Sequence, residues 1–249
     1  VTGCAVFLIW WLVFETEGVY LGRRLVIWLY DVYARRYDNI KQFEPTYEQH
    51  LLARPLLSRI APHRAPLVLD AATGTGRMAL ALLDNPVFMG RIVAVDLSYK
   101  MLEQAASKLK GYQRVDLLWC SADELPFDDN TFDVVTCLEA IEFTPSPEKT
   151  LRELARVLRP GGTLLITNRL SKWMPGRLWD NEELADLLLD YGMQQVDIEL
   201  WQVDYNKVWA KKDGHSPVIG PRYLEEILQC PHCQQALMQK RDGGWQCPN

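Results

Sequence analysis

One stretch decides the fold of this chain: Leu67-Val68-Leu69-Asp70-Ala71-Ala72-Thr73-Gly74-Thr75-Gly76-Arg77-Met78-Ala79-Leu80-Ala81-Leu82-Leu83. An apolar run ends in an acid, small residues follow, and an apolar segment with helical spacing begins, which predicts a strand, a tight turn and a helix. The glycines at 74 and 76 let the backbone approach a ligand, and the helix start offers free N–H groups to an anionic group. Taken alone, such a turn also serves packing in many α/β proteins.

Three further apolar strands follow this stretch along the chain, at residues 91–98, 117–127 and 132–139. The first of them ends in Asp96, about 20 residues after Gly76, where nucleotide-binding folds hold ribose hydroxyls. Asp123 follows the apolar residues that begin the next stretch, at 117–120. We therefore expect the acids at 70, 96 and 123 to share one edge of a parallel sheet.

The remaining pattern alternates in the same way. Helical spacing is found at residues 45–62, 99–109, 148–158 and 180–191, and strand patterns at 163–167, 196–203 and 205–210. Ser98 is the predicted N-cap of the helix at 99–109, and residues 159–162 predict a turn that ends the helix at 148–158. Alternating strands and helices predict an α/β fold with a doubly wound, mostly parallel sheet.

Composition bounds the function. The 249 residues suffice for one α/β domain with a small appendage, and 48% of them are hydrophobic, as in globular proteins. The formal net charge of -5 argues against a broad phosphate-binding surface. We therefore expect no DNA partner, and the same charge counts against RNA.

The amino-terminal part is apolar. Residues 3–14 form an apolar run without a polar face. About 12 residues are too few to span a bilayer, which takes roughly 20, so this run predicts an interfacial helix or the end of a longer membrane anchor. A buried helix and a signal-peptide remnant are the alternatives. Residues 19–37 predict an amphipathic helix, which either lies on a membrane surface or packs over the active site. The expected location is cytoplasmic, with a tether to the inner face of the membrane through this segment.

Several motifs together resemble those of a known family. The chain is similar to class I S-adenosylmethionine-dependent methyltransferases of type 11, which include the ubiquinone/menaquinone C-methyltransferases. The motifs that carry the resemblance are Leu69-Asp70-Ala71-Ala72-Thr73-Gly74-Thr75-Gly76, Val95-Asp96-Leu97-Ser98, Ala122-Asp123-Glu124-Leu125-Pro126-Phe127, Phe132-Asp133-Val134-Val135 and Arg156-Val157-Leu158-Arg159-Pro160-Gly161-Gly162. Ala72 departs from the first glycine that many members carry, but the quinone-type members resemble this chain there. The resemblance implies a seven-stranded Rossmann-like sheet with an antiparallel last strand.

The resemblance also implies a cofactor, S-adenosylmethionine, and residues that hold it. Asp70 would attract the cationic methionine end, Asp96 the ribose hydroxyls and Asp123 the adenine amino group. Leu97 and Met101 would pack on the adenine, or belong to the core. The expected cofactor-binding residues are Tyr37, Asp70, Ala72, Gly74, Thr75, Gly76, Asp96, Leu97, Met101, Ala122, Asp123 and Leu138.

The catalytic residue stays unassigned. Glu139, which follows the fourth strand on the substrate side, is the candidate general base if the acceptor must lose a proton. For Glu142 a solvated acid at a helix start is the better interpretation. All four histidines lie outside the expected substrate region, so histidine-based deprotonation is not indicated.

The carboxyl-terminal cysteines form a separate motif. Cys230 and Cys233 are followed by Cys247 at zinc-ribbon spacing, which predicts a structural zinc site. A second Cys-x-x-Cys would place a fourth thiolate past Asn249, so we expect an incomplete ligand set within this sequence. By contrast, Cys120 and Cys137 lie in predicted strands and are expected in the core.

We therefore expect three parts, at residues 1–40 (apolar helices, membrane anchor), 41–212 (methyltransferase domain) and 213–249 (linker and partial zinc ribbon). The predicted function is methyl transfer to a small-molecule or lipid- or quinone-like acceptor. The alternatives are an RNA methyltransferase with a zinc-ribbon appendage, an NAD-dependent oxidoreductase and a non-catalytic binding module. The missing Gly-x-Gly-x-x-Gly turn argues against NAD.

Overall fold

A computed structural model of the protein describes residues 2–171, 173–230, 232–233, 235–240 and 244–248. Its main sheet consists of β1 (Leu67–Ala71), β2 (Arg91–Asp96), β3 (Val115–Trp119), β4 (Phe132–Cys137), β5 (Leu158–Arg169), β6 (Met193–Leu200) and β7 (Tyr205–Lys212). The helices are α1 (Thr2–Trp10), α2 (Arg23–Tyr33), α3 (Tyr37–Lys41), α4 (Pro45–Glu48), α5 (Arg54–Ile60), α6 (Arg77–Leu83), α7 (Tyr99–Leu109), α8 (Pro147–Val157), α9 (Asn181–Asp190) and α10 (Leu224–Ile227). Two short strands, β8 (Met238–Gln239) and β9 (Trp245–Gln246), form a separate hairpin.

The seven strands lie in the order β3-β2-β1-β4-β5-β7-β6. The first five pair in parallel, whereas β7 runs antiparallel to β5 and β6. This confirms the predicted seven-stranded, mostly parallel sheet. The chain order reverses between β1 and β4, and the carboxyl ends of both strands therefore open a crevice at one edge.

β1 lies at the centre of the sheet because its sequence suits burial on both faces. Leu67 and Leu69 pack into the core on one face, while Val68 packs into the core on the other. All five residues of β1 are buried. A continuous apolar run is typical of a parallel strand that helices cover on both sides.

Local capping signals set the helix starts. The Ser98 side chain accepts a hydrogen bond of 3.1 Å from the Met101 N–H, which confirms the predicted N-cap of α7. At α9, Asp180 and Glu183 form a reciprocal capping box. The predicted helix at 45–62 is found as α4, a π-helical turn (Gln49–Ala53) and α5 in direct succession.

Two segments differ from the predictions, and glycine explains both. The predicted helix over 19–37 is interrupted at Gly22, whose φ of 104° is outside the helical range, so α2 begins only at Arg23. The predicted turn at 159–162 instead belongs to β5, which begins at Leu158. A Cβ on Gly162 would lie 2.8 Å from the Arg159 carbonyl oxygen and 2.9 Å from the Asp133 carbonyl oxygen, so the close approach of this backbone requires glycine.

The segment after β7 packs against the main domain. Ile219 and Gly220 donate backbone hydrogen bonds of 2.8 and 3.0 Å to the Asp133 carboxylate, and Leu224 and Leu228 are part of the core. The predicted linker therefore leads into a docked segment. The division into three parts remains a prediction. Among the described residues, none of the helices has the length and apolar character needed to cross a membrane.

Candidate functional site

A cavity of about 250 Å³ lies at the carboxyl edge of the parallel strands. Residues that follow β1, β2, β3 and β4 form its floor, and the amino-terminal segment covers it. The lining includes Ala72, Gly74, Asp96, Leu97, Ser98, Cys120, Ser121, Ala122, Leu138, Glu139, Val19, Val26, Ile27, Tyr30, Tyr37 and Phe143. This is the crevice where open α/β sheets bind their ligands.

Asp96 is fixed on the cavity wall by backbone donors. Its carboxylate accepts hydrogen bonds of 2.8 Å from the N–H of Gly74 and of 2.8 Å from the N–H of Ser98. Burial raises the pKa of Asp96 to about 6, although these N–H groups act in the opposite direction. The carboxylate is therefore ionised at neutral pH and retains lone pairs toward the cavity, as binding of two hydroxyls requires.

The two glycines of the first turn have different roles. Gly74 has a φ of 57°, and a Cβ built on it meets no atom within 4 Å, so its backbone borders open space. Gly76 has a φ of 83°, and its Cβ would lie 3.1 Å from a Leu109 side-chain carbon. Gly74 therefore allows close approach of a ligand, whereas Gly76 allows α6 and α7 to pack.

Asp70, Thr75 and Gly76 lie away from the main cavity wall. Asp70 and Thr75 line a smaller cavity of about 40 Å³, which shares Tyr37, Gly74 and Leu138 with the main one. The Asp70 carboxylate accepts hydrogen bonds from the hydroxyls of Thr73 (2.6 Å) and Thr136 (2.7 Å). Burial raises its pKa. In this structure Asp70 holds the turn in place, and its predicted attraction for a cationic group remains a prediction.

Two further predicted residues lie off the wall. Met101 is fully buried, which is the core alternative considered for it. Asp123 is buried too, accepts a hydrogen bond from Ser121, and borders a separate cavity of about 300 Å³. Its neighbours Ser121 and Ala122 line the main cavity. Cys120 also lines it, so the prediction of a core position holds only for Cys137.

Glu139 is held by two cations. Its carboxylate lies 2.6 Å from Arg77 and 3.0 Å from Lys41, and Arg77 also binds Glu48 at 2.6 Å. Burial would raise the pKa of Glu139, but Lys41 and Arg77 hold it below its ordinary value. A carboxylate with a lowered pKa and two ion pairs is a weak proton acceptor. Arg77 was not predicted as a site residue, although a charged residue directly after the glycine turn was a usable signal.

The amino-terminal segment contributes a second polar group that the sequence analysis missed. Val26, Ile27 and Tyr30 of α2 face the cavity, so α2 packs over the site, as one of the two interpretations expected. Burial raises the pKa of both Tyr30 and Glu17, and the two side chains influence each other's pKa. This pair links the cavity cover to the chain segment before α2.

Glu142 contradicts its predicted solvated state. It is only 3% exposed and accepts a hydrogen bond of 2.5 Å from the Tyr205 hydroxyl. The 3₁₀ turn Ile141–Phe143 folds Glu142 inward under the strand ends, a placement that depends on contacts more than 60 residues apart in sequence. Burial raises its pKa to about 7.

The Glu142→Gln variant should change the pH dependence of stability. Because the folded-state pKa is raised, the contribution of Glu142 is fully present below its ordinary value of 4.5 and is lost as the pH rises through about 7. The amide keeps an acceptor for Tyr205 and cannot ionise. Relative to the parent, the variant should therefore gain stability between pH 5 and 8, with an upper bound on the order of 3 kcal/mol. Urea unfolding across this range measures it, and parallel pH curves for the two proteins would contradict it.

Comparisons with known proteins agree with this architecture. Residues 69–166 match the family described as "Methyltransferase domain". Demethylmenaquinone methyltransferase of Clavibacter sepedonicus is 34% identical over 138 residues, covering 55% of this chain and 55% of that protein. Malonyl-[acyl-carrier protein] O-methyltransferase of Marinomonas sp. is 31% identical over 170 residues and 63% of each chain. The matched part thus spans between about half and two thirds of these relatives.

A solved structure supports the fold. A SAM-dependent methyltransferase from Aquifex aeolicus superimposes with a TM-score of 0.57 at 23% identity, covering 72% of this chain and 97% of that one. Over residues 69–166 the chain is therefore similar to the methyltransferase-domain family, and its fold is similar to that of a solved SAM-dependent methyltransferase.

Proposed function

We propose that the protein transfers a methyl group from S-adenosylmethionine to a small-molecule or lipid- or quinone-like acceptor. The observation that carries the proposal is the Asp96 carboxylate, ionised and fixed by the Gly74 and Ser98 N–H groups on the wall of an apolar cavity. The open space beside Gly74 fits a bound nucleoside, because no Cβ obstructs it.

The bound cofactor supplies an activated methyl group, so the protein mainly positions the reactants and excludes water. Leu97, Ala122 and Leu138 offer apolar contacts, and the cover by Tyr30 and Phe143 shields the cavity from solvent. The ion pairs of Glu139 with Arg77 and Lys41 suit a positioning role better than proton transfer. We leave the residue that would accept a proton unassigned.

The names of the two curated relatives guide the choice of acceptor. One relative is named for demethylmenaquinone and the other for malonyl-[acyl-carrier protein]. Both are small-molecule or carrier-linked acceptors, and this chain's net charge of -5 is unfavourable for a broad nucleic-acid surface. These points support a small or lipid-like acceptor over RNA.

Calorimetric titration tests the proposal. S-adenosylmethionine should bind in the micromolar range and NAD should not. Formation of S-adenosylhomocysteine with a quinone-like acceptor would then establish turnover. Preferential binding of NAD would overturn the proposal, and cofactor binding without product on any acceptor would indicate a non-catalytic binding module.

We further propose that the amino-terminal segment places the protein on a membrane surface. Exposed apolar side chains are concentrated there, and they include Phe7, Trp10, Leu21 and Trp28. The Trp11 ring, directly after α1, stacks on Tyr20 at 5.3 Å, in the turn that leads into α2. Since α2 also covers the cavity, a lipid-like acceptor would reach the site from the membrane side.

Vesicle sedimentation should detect this association. The exposed Arg23 and Arg24 should favour vesicles with anionic lipid over neutral ones, and the preference should weaken with salt. A Phe7→Ser/Trp10→Ser variant should lose binding. A matched Val87→Ser/Met89→Ser variant changes exposed apolar residues before β2, at the opposite edge of the sheet, and should bind normally. Equal loss in both variants, or dimerisation instead of vesicle binding, would exclude the proposed surface.

A further inference from the structure

Three thiols converge in the carboxyl-terminal segment. The sulfur atoms of Cys230, Cys233 and Cys247 all lie within 4.8 Å of one another. Cys230 is buried, Cys233 is exposed and Cys247 is half-buried. The fold thus brings a cysteine 14 residues away to the Cys-x-x-Cys turn, which spacing alone only suggests.

The backbone around the cluster holds the three sulfur atoms in place. The Cys230 N–H donates a hydrogen bond of 2.9 Å to the Gln235 carbonyl, which closes the first turn. Cys247 directly follows β9, which pairs with β8 in the hairpin. Two ordered backbone elements therefore present their thiols to one point.

The sulfur separations fit a metal ion. With a Zn–S bond of about 2.3 Å, two sulfur atoms on a tetrahedron lie roughly 3.8 Å apart. The Cys233 and Cys247 sulfurs lie 3.4 Å apart, and all three sulfurs lie within 4.8 Å of one another. The tetrahedral separation lies between these two values. A disulfide would bring two sulfurs to about 2 Å.

We propose that Cys230, Cys233 and Cys247 bind one zinc ion through three thiolates. His232 is exposed and its ring does not belong to the converging group among the described residues. The fourth tetrahedral position is then left for solvent or for a donor other than the three cysteines that converge among the described residues. Thiolate donors of this kind favour zinc over magnesium or calcium.

The metal also braces a loop of the methyltransferase domain. Directly before Cys230, the Gln229 N–H donates a hydrogen bond of 2.9 Å to the Pro126 carbonyl. Leu228 forms an antiparallel bridge with Phe127, and both side chains are buried. A metal ion that holds Cys230 in place therefore also stabilises the bridge between Leu228 and Phe127, which supports the loop after β3. This consequence does not depend on which cofactor or acceptor the domain binds.

Metal analysis of the full chain tests the proposal. After dialysis against zinc under reducing conditions, the protein should retain one zinc per chain. The Cys233→Ser variant should lose it, and because Cys233 is exposed, this change should leave the circular dichroism spectrum unaltered. Cys4→Ser in α1 is the matched control and should retain the metal. Cobalt loaded in place of zinc should show thiolate charge-transfer absorption.

Equal zinc content in the parent and in Cys233→Ser would overturn the site, as would the absence of zinc from the reduced parent. A Cys233–Cys247 disulfide in the protein isolated without reductant, together with no metal uptake after reduction, would also overturn it. Hydrogen exchange tests the bracing. Adding zinc to the metal-free protein should protect the amides of residues 125–129 and 228–230, with residues 87–90 as an unaffected reference. Zinc binding without protection at 125–129 would overturn the bracing alone.

Discussion

The Asp96→Ala variant should bind S-adenosylmethionine at least about 100-fold more weakly than the parent. A hydrogen bond to a charged acceptor contributes about 1.5–3 kcal/mol, and the proposed site makes two of them to ribose hydroxyls. The substitution also removes the acceptor that fixes the Gly74 and Ser98 N–H groups. Calorimetric titration at pH 7.5 measures the change.

Protonation should have a related effect in the parent. Because the pKa of Asp96 is about 6, the affinity for the cofactor should fall as the pH is lowered through that value. Asp96→Asn, which keeps the shape and lacks the charge, should lie between parent and alanine variant and lose this pH dependence.

Asp116→Asn is the matched control for Asp96. Asp116 lies in β3 and pairs with Arg91 at 2.8 Å, outside the cavity lining. The affinity of the Asp116→Asn variant for S-adenosylmethionine should equal that of the parent. An unchanged affinity in Asp96→Ala would show that the nucleoside is not held at this carboxylate.

The Arg77→Met variant should lower the free energy of unfolding by about 3–5 kcal/mol. Arg77 is the shared cation of Glu48 and Glu139, and all three side chains are at most 11% exposed. Its removal leaves two carboxylates with too little positive charge nearby, and an uncompensated buried charge is strongly destabilising. Methionine keeps much of the side-chain volume, so lost packing adds little. Urea unfolding at pH 7.5 measures the change.

Two further variants separate charge from packing. Adding Glu48→Gln and Glu139→Gln to Arg77→Met should restore part of the stability, because the unpaired charges are removed together. Arg152→Met breaks an exposed pair with Glu148, in which the two side chains are 65% and 59% exposed, and should leave the free energy of unfolding nearly unchanged. A loss below 1 kcal/mol in Arg77→Met would contradict the proposed role of this network.

Local signals in the sequence predicted much of the fold and part of the site. Apolar runs with a period of two or of 3.6 residues marked the sheet and most helices, since a face must be apolar along its length to be buried. Ser98 was predicted as a cap because its role depends only on neighbours three residues away. Gly74 and Asp96 were predicted at the site because parallel strand ends meet at one edge of a sheet.

Contacts between distant residues were decided only by the tertiary structure. Arg77 binds Glu48 and Glu139, which lie 29 and 62 residues away, and Glu142 is buried against Tyr205, 63 residues away. The position of Tyr30 over the cavity depends on the packing of α2 against the domain. The sequence by itself determined the order of elements and the ligand-facing turn, because backbone preference and apolar periodicity are local. The charge state and the cover of the site depend on burial and on pairing across the fold, which no local pattern encodes.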